Sequence, residues 1–366
     1  MNNSLIGIIS IELGSSILAL VGWIFFFSLI ISIYRKFKLI QFLLKLIQAA
    51  LGLTYIFLNF FAVFTVDLLL AKYLYSLSII CFSLIGILEG LFFHSLRATK
   101  MTIQYSAVPI GIILIKLSTL ITYPIETYRY NGITLRTAHI HPLALLSTYI
   151  IISYILVEFF LFFFEVWKVN KKRSFAIKLS MVYLTLPPFL SVIYYLARKS
   201  PLLSISIPYI QAIVLGIWFQ VIVFIFRKNP EKLILLPVRI RGFLMHTYGG
   251  IPLLKEPFEP GDARTVTVAS SLIGAIIGLE EAIEKRRVNN IFRVHQLVET
   301  ALVTFFGEMT LGTFICSKDN IVLRNILSKL IKEFEQEIGY IDEGMVLDED
   351  IQIARKILYK YVAPFL

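Results

Sequence analysis

Four ionisable side chains, Lys45, Glu89, Lys116 and Glu158, stand inside stretches that are otherwise apolar enough to cross a lipid bilayer. A charge buried there costs from about 2.5 kcal/mol upward, so each is a functional candidate by default. Glu89 and Glu158 lie about eight residues from the inner ends of their stretches, and Lys45 about six from the inner start of its own. At about 1.5 Å per residue these three share one depth, roughly 9–12 Å inside the inner interface, with Lys116 nearer mid-membrane. A Lys–Glu cluster of this kind can gate a cavity, carry protons or form a switchable ion pair. The competing reading is structural: Lys45 snorkels to the headgroups, and the glutamates take Ser or Tyr hydroxyls as partners. Glu12 and Asp67 near the outer boundary, and Glu165 near the inner one, are covered by interfacial solvation.

Other residue types with chemical capacity form no constellation. His139 and His141 are the one histidine pair, with Glu126 upstream, but a metal site needs three or four ligands, so they are weak candidates and no metal or cofactor is expected. His94, His246 and His295 read as locally satisfied. No phosphate-cradling glycine loop, dinucleotide fingerprint, zinc-protease helix or nucleophile elbow occurs, so no catalytic residue is assigned and no enzymatic activity is expected. Cys81 lies in an apolar run and Cys316 in the polar C-terminal part, in different compartments, which argues against a disulfide.

The elements that must hold the four charges are membrane helices. Hydrophobic residues make up 57% of the 366, mean hydropathy is +0.79, and seven stretches reach the roughly 20 apolar residues a crossing needs. They run at about 8–34, 39–66, 73–96, 103–122, 142–166, 175–197 and 203–226, the fourth interrupted by Pro109 and Lys116. Residues 1–232 hold 20 Lys/Arg against 7 Asp/Glu, whereas 233–366 hold 15 against 17. The excess basic residues sit in links between apolar stretches, which suits membrane orientation and not nucleic-acid binding. Twelve of them fall in the links at 35–38, 97–100, 168–173 and 227–232, and five in the alternate links. By the positive-inside bias the N-terminus is outside and the C-terminus cytoplasmic. The N-terminus lacks the basic start of a signal peptide and reads as a first helix that stays. Tyr123, Tyr128 and Tyr130 in the 123–141 link read as an interfacial aromatic belt or, less simply, a ligand loop. The last stretch, 203–226, contains no Lys, which excludes a retinal Schiff base there.

A membrane domain thus occupies 1–227 and a connector 228–237, stiffened by Pro230 and Pro237. From 238 the periodicity changes. Arg239–Tyr248 reads as a strand, Gly249 and Gly250 as a tight turn, and Ile251–Glu256, which includes Pro252, as a returning strand. Val266, Ala269, Leu272, Ile273, Ile276, Leu279 and Ile283 recur at helical spacing. This helix ends in Glu280, Glu281 and Glu284 and its low-charge core is too short to cross a membrane. The pair Gly274 and Gly278, with Ser270 on the same face, reads as close packing on a sheet. Strands follow near 290–299, 301–307 and 311–317, with Gly307-Glu308 as a turn, then a helix capped by Asp319 or Asn320 and stopped by Gly339, and a last helix near Asp348–Tyr361. The order is β-β-α-β-β-β-α-α.

That order, with the turn at 249–253, the helix words at 270–281 and the Phe334-Glu335…Gly339 helix ending, resembles longin-like and roadblock-related regulatory domains of many archaeal proteins. The resemblance covers about 238–340. It implies a cytoplasmic platform, at 238–366, that binds a small GTPase, a like domain or a second copy of itself and lacks catalytic residues. The seven-helix part is similar in architecture to membrane modules that precede signalling domains in prokaryotic sensors. The expectation is a signalling or scaffold membrane protein; the alternative is a transporter or channel with a regulatory C-terminal domain.

Overall fold

The computed structural model describes residues 3–37, 40–97, 103–122, 125, 127–130, 133–136, 142–169, scattered helical positions between 214 and 225, 236–284, 289–339 and 347–363. The chain forms two units. One comprises Met1–Ser95, Met101–Phe163 and Arg173–Leu233, the other Leu96–Lys100, Phe164–Lys172 and Ile234–Leu366.

The first unit is helical: α1 (Asn3–Phe37), α2 (Ile40–Phe64), α3 (Leu68–Arg97), α4 (Ile103–Thr122) and α5 (Pro142–Val169). Long apolar runs take this form because a helix satisfies its own backbone groups where no water is present to do so. Three helices are long and apolar enough to cross a membrane, within Gln41–Phe64, Leu68–Arg97 and Leu146–Val169. Two further apolar helical stretches, Leu20–Arg35 and Pro109–Thr122, are shorter. The described residues therefore carry three such helices where the hydropathy pattern predicts seven spans; the sixth and seventh, 175–197 and 203–226, lie almost wholly outside the described residues.

Within the 123–141 link the described residues form a two-stranded antiparallel hairpin. Strand β1 (Thr127–Tyr130) pairs antiparallel with β2 (Ile133–Arg136). Tyr75 donates its hydroxyl to the Thr134 carbonyl at 2.8 Å, Thr134 donates to Thr65 O at 2.9 Å, and Arg129 donates to Val66 O at 2.5 Å, so the hairpin seals the α2–α3 turn. At that turn Asp67 accepts from the backbone N–H of Leu69 at 2.8 Å and of Leu70 at 3.4 Å. It caps α3, a role beyond interfacial solvation.

In the second unit the observed order is β3 (Ile240–Thr247), β4 (Pro252–Pro257), a 3₁₀ turn (Pro260–Asp262), α6 (Ala263–Glu284), β5 (Ile291–Gln296), β6 (Ala301–Phe306), β7 (Thr310–Cys316), α7 (Ile321–Ile338) and α8 (Asp348–Val362). The strands make one antiparallel sheet ordered β4-β3-β7-β6-β5. Every residue of β6 and β7 is buried, as strands covered on both faces must be. On one face Val266, Ala269 and Ile273 of α6 meet Leu244, Leu302, Phe306, Leu311 and Ile315. On the other, Gly312 leaves room for Leu327 and Ile331 of α7, and Phe243 packs on Phe314 with ring centres 5.4 Å apart. Three layers result, helix on sheet on helix.

The predicted turn at Gly249, Gly250 and Pro252 is in place. Gly250 donates to Thr247 O at 3.0 Å with φ of +78°, a conformation that costs a side-chain-bearing residue energy. Pro252 opens β4 opposite His246. Asn320, the second of the two predicted caps, accepts from Val322 N–H at 2.8 Å and Gly339 ends α7. The β6–β7 turn is held from a distance: the Glu335 carboxylate on α7 accepts from the N–H groups of Glu308, Met309 and Thr310 at 3.1, 2.9 and 2.8 Å. Also in this unit, Glu165 pairs with Arg97 at 3.7 Å.

Candidate intramembrane polar site

Along α2, Gln41, Lys45 and Gln48 recur at i, i+4 and i+7, which places them on one face. All three are buried. Lys45 Nζ donates to Glu89 Oε2 of α3 at 2.5 Å, and its charge also lies 4.4 Å from the centre of the Phe92 ring. Gln48 donates to the same Oε2 and to the Ile85 carbonyl, the latter at 3.2 Å. The residue count that placed Lys45 and Glu89 at one depth thus corresponds to a direct ion pair, with side chains only 7% and 5% exposed. Removing one partner of such a pair strands the other charge, at about 3–5 kcal/mol.

The other two candidates find different company. Lys116 on α4 donates to Thr148 Oγ1 of α5 at 2.6 Å. Lys116 and Glu89 line one cavity, together with Gln48, Ser83 and Thr148. Glu158 is not among the described residues that line this cavity; its Oε2 lies 3.4 Å from His94 Nδ1, both buried. The four predicted residues therefore fall in two places: Glu89 and Lys116 line one cavity, with Lys45 paired to Glu89, and Glu158 stands against His94.

Close helix approach makes this geometry, and its signal is readable in the sequence as Gly86-Ile-Leu-Glu-Gly90. Small residues four apart let two helices touch. A Cβ at Gly86 would stand 3.0 Å from Ile151 and one at Gly90 would run into the Tyr154 ring, both on α5. Glu89 sits inside this glycine pair. Gln48 and Thr148 were missed because neutral polar residues in an apolar run carry no charge penalty to draw the eye.

In the C-terminal unit, His246 of β3 has Nε2 3.0 Å from Ser270 Oγ of α6. Burial, with the nearby Lys255 charge adding to it, pushes its pKa down to about 4, so the ring is neutral at pH 7. A neutral ring against a hydroxyl resembles the first two members of a hydrolytic triad, but both side chains are almost wholly buried, which leaves a substrate no approach. Burial and then Asp319 push the Cys316 thiol up to about 12, so it is not a nucleophile at neutral pH. Both cysteines are free and buried. Among the described residues no group of three His, Cys, Asp or Glu could hold a metal ion; His139 and His141 lie outside those residues. No known protein family, curated protein or solved structure matches the chain.

Proposed function

We propose that the protein is a membrane signalling or scaffold protein whose C-terminal unit, a longin-like domain in the cytoplasm, recruits or regulates a small GTPase or a domain like itself, under the control of a seven-helix bundle. The observation that carries this reading is the element order β-β-α-β-β-β-α-α laid out as one sheet, β4-β3-β7-β6-β5, with α6 on one face and α7 on the other. Such a layout is a rigid platform whose core supports a surface and not a reaction. The outer side of α6 supplies a contact surface: Val268 and Leu272 are 63% and 40% exposed although the inner side of the same helix is already packed. Strand β5 leaves a further open edge. A second copy of the chain is the other occupant these surfaces suit.

In this reading the two shorter apolar helices and the stretches 175–197 and 203–226 complete seven crossings, with the N-terminus outside. The test uses the whole protein in lipid nanodiscs, titrated with the small GTPases of its host in GDP- and GTP-loaded forms. Nucleotide-dependent binding is expected, and Val268→Asp with Leu272→Asp should weaken it at least tenfold, about 1.4 kcal/mol. If none of the GTPases binds, the recruitment reading fails and the transporter or channel reading takes its place. That alternative is favoured by one observation, the cavity that Glu89 and Lys116 share, and would draw on Lys45 and Glu158 as well.

A further inference from the structure

The two ends of the five-stranded sheet differ in what their turns expose. At one end lie the β3–β4 turn, with Gly249 and Gly250, and the β6–β7 turn, with Gly307 and Glu308. At the other lies the β5–β6 turn, where Leu297 donates its N–H to Thr300 O at 2.7 Å, with Val298 and Glu299 at the tip. Tight turns draw on Gly, Asn, Asp or Ser for their backbone geometry. Turn chemistry therefore gives no reason for a branched apolar residue at this tip, yet Val298 is 100% exposed and its neighbour Leu297 47%.

Register fixes where that tip stands. Ala301, at the start of β6, lies opposite Cys316, at the end of β7, and Cys316 Sγ donates to Ala301 O at 3.4 Å. The tip before Ala301 and the segment Ser317–Asn320 after Cys316 therefore project past the same end of the sheet. That end is also where α3 and α5 finish. The last residues of both helices belong to the same unit as the sheet. Asn320 donates from Nδ2 to Leu96 O at 2.8 Å, and Lys318 pairs with Glu165. The chain enters the sheet here too, with Arg239 O accepting from Ser317 N–H at 2.9 Å. Both helices are long and apolar enough to cross a bilayer. Trp167, exposed near the end of α5 and followed by Lys168, has the amphipathic ring that settles at a bilayer boundary.

We propose that the β5–β6 tip is a lipid-contacting wedge, with Leu297 and Val298 dipping into the headgroup boundary of the bilayer that α3 and α5 cross. Seating the two side chains there removes apolar surface from water, as an interfacial anchor does. Glu299, exposed beside them, stays at headgroup level and keeps the insertion shallow. Arg241 steadies the hairpin from β3: its guanidinium donates to Thr300 Oγ1 at 3.2 Å, which puts a cation at the foot of the tip, where anionic lipid attracts one. The wedge gives the sheet a hold on the bilayer besides the ends of α3 and α5. This inference rests on the crossing of those two helices and not on recruitment of a partner.

The test places the fluorophore NBD on the whole protein in phosphatidylcholine nanodiscs, at Val298→Cys, at Ile251→Cys by the opposite end of the sheet, and at Phe57→Cys on α2. All three positions are exposed, and the buried Cys81 and Cys316 leave a background that the unsubstituted protein measures. Lipids carry a nitroxide quencher either on the headgroup or on the acyl chain close to its ester. Val298→Cys is expected to be quenched several-fold more than Ile251→Cys, and more by the acyl nitroxide than by the headgroup one. Quenching at Phe57→Cys with none at Val298→Cys, or with the headgroup nitroxide the stronger at Val298→Cys, overturns the wedge and leaves the crossings standing. Equal quenching at Val298→Cys and Ile251→Cys overturns it as well. A label at Val298→Cys that neither nitroxide reaches but that is shielded from aqueous iodide would assign the tip to a protein contact instead. Without quenching even at Phe57→Cys, the membrane reading falls and the wedge with it.

Discussion

His246 takes up its proton near pH 6.5 in the unfolded chain but only near 4 in the folded one. Between these values the unfolded state binds more protons, so the C-terminal unit loses stability as pH falls through that window and keeps it above pH 6.5. The full difference is about 3 kcal/mol, an upper bound at 1.36 kcal/mol per pKa unit. Hydrogen exchange of the β3 and β7 amides is the measurement: protection should fall from pH 6.5 towards 4 after correction for intrinsic exchange, and His246→Gln should flatten the fall. Equal pH dependence in the two proteins would mean that another group controls it. At this scale the sequence was informative where charge meets apolar surroundings. Lys45 and Glu89 announced themselves by cost, and counting residues from the helix ends put them at one depth. Glu158 shares that depth yet pairs with His94, because depth constrains height along the helices and not the angle around them. Asp67 carried a readable cap signal, an Asp immediately before an apolar run, that its position at the membrane boundary obscured.

Helices α3 and α5 touch through Gly86 and Gly90, where the chain leaves out side chains and Tyr154, Ile151 and Ile155 fill the space. Gly90→Leu should force the helices apart at a cost of about 1–3 kcal/mol or more. Gly111→Ala on α4, where an added Cβ meets nothing within 4 Å, should leave stability unchanged or slightly raised. Thermal unfolding in detergent, with both variants side by side, measures the difference. Similar melting points for Gly90→Leu and the unmodified protein would show that the α3–α5 contact is loose. Elements of the C-terminal unit were legible because continuous apolar runs separated by Gly, Asn and Asp leave few alternatives. The β1–β2 hairpin was not, since two four-residue strands that carry Tyr and Arg have the composition of a membrane boundary. What identifies the hairpin is the hydrogen bonding of Tyr75, Thr134 and Arg129 around the α2–α3 turn, which joins residues about sixty positions apart.

For the molecule as a whole, composition shifts from a basic, apolar first part to a nearly balanced second part after residue 232, whereas the second unit also takes in Leu96–Lys100 and Phe164–Lys172. The described residues carry three helices long and apolar enough to cross, whereas the stretches 175–197 and 203–226 lie almost wholly outside them. Parity decides the matter experimentally. With seven crossings, a reporter fused after Leu366 lies on the same side as residues 170–173 and opposite to residues 131–132. Cysteine labelling of intact cells at those three places should give that pattern, and labelling of all three from outside or of none would remove the assigned topology.

Gly307 and Glu335 lie 28 positions apart, yet a side chain at the first would run into the carboxylate of the second. That carboxylate in turn satisfies the turn amides of residues 308 to 310. Hairpins usually settle such amides with residues inside the turn, and here a helix does it from outside. The turn is thereby tied to the pair Gly307 and Glu335, while of residues 308 and 309 the carboxylate uses only the backbone N–H groups, so their side chains are not what holds the turn.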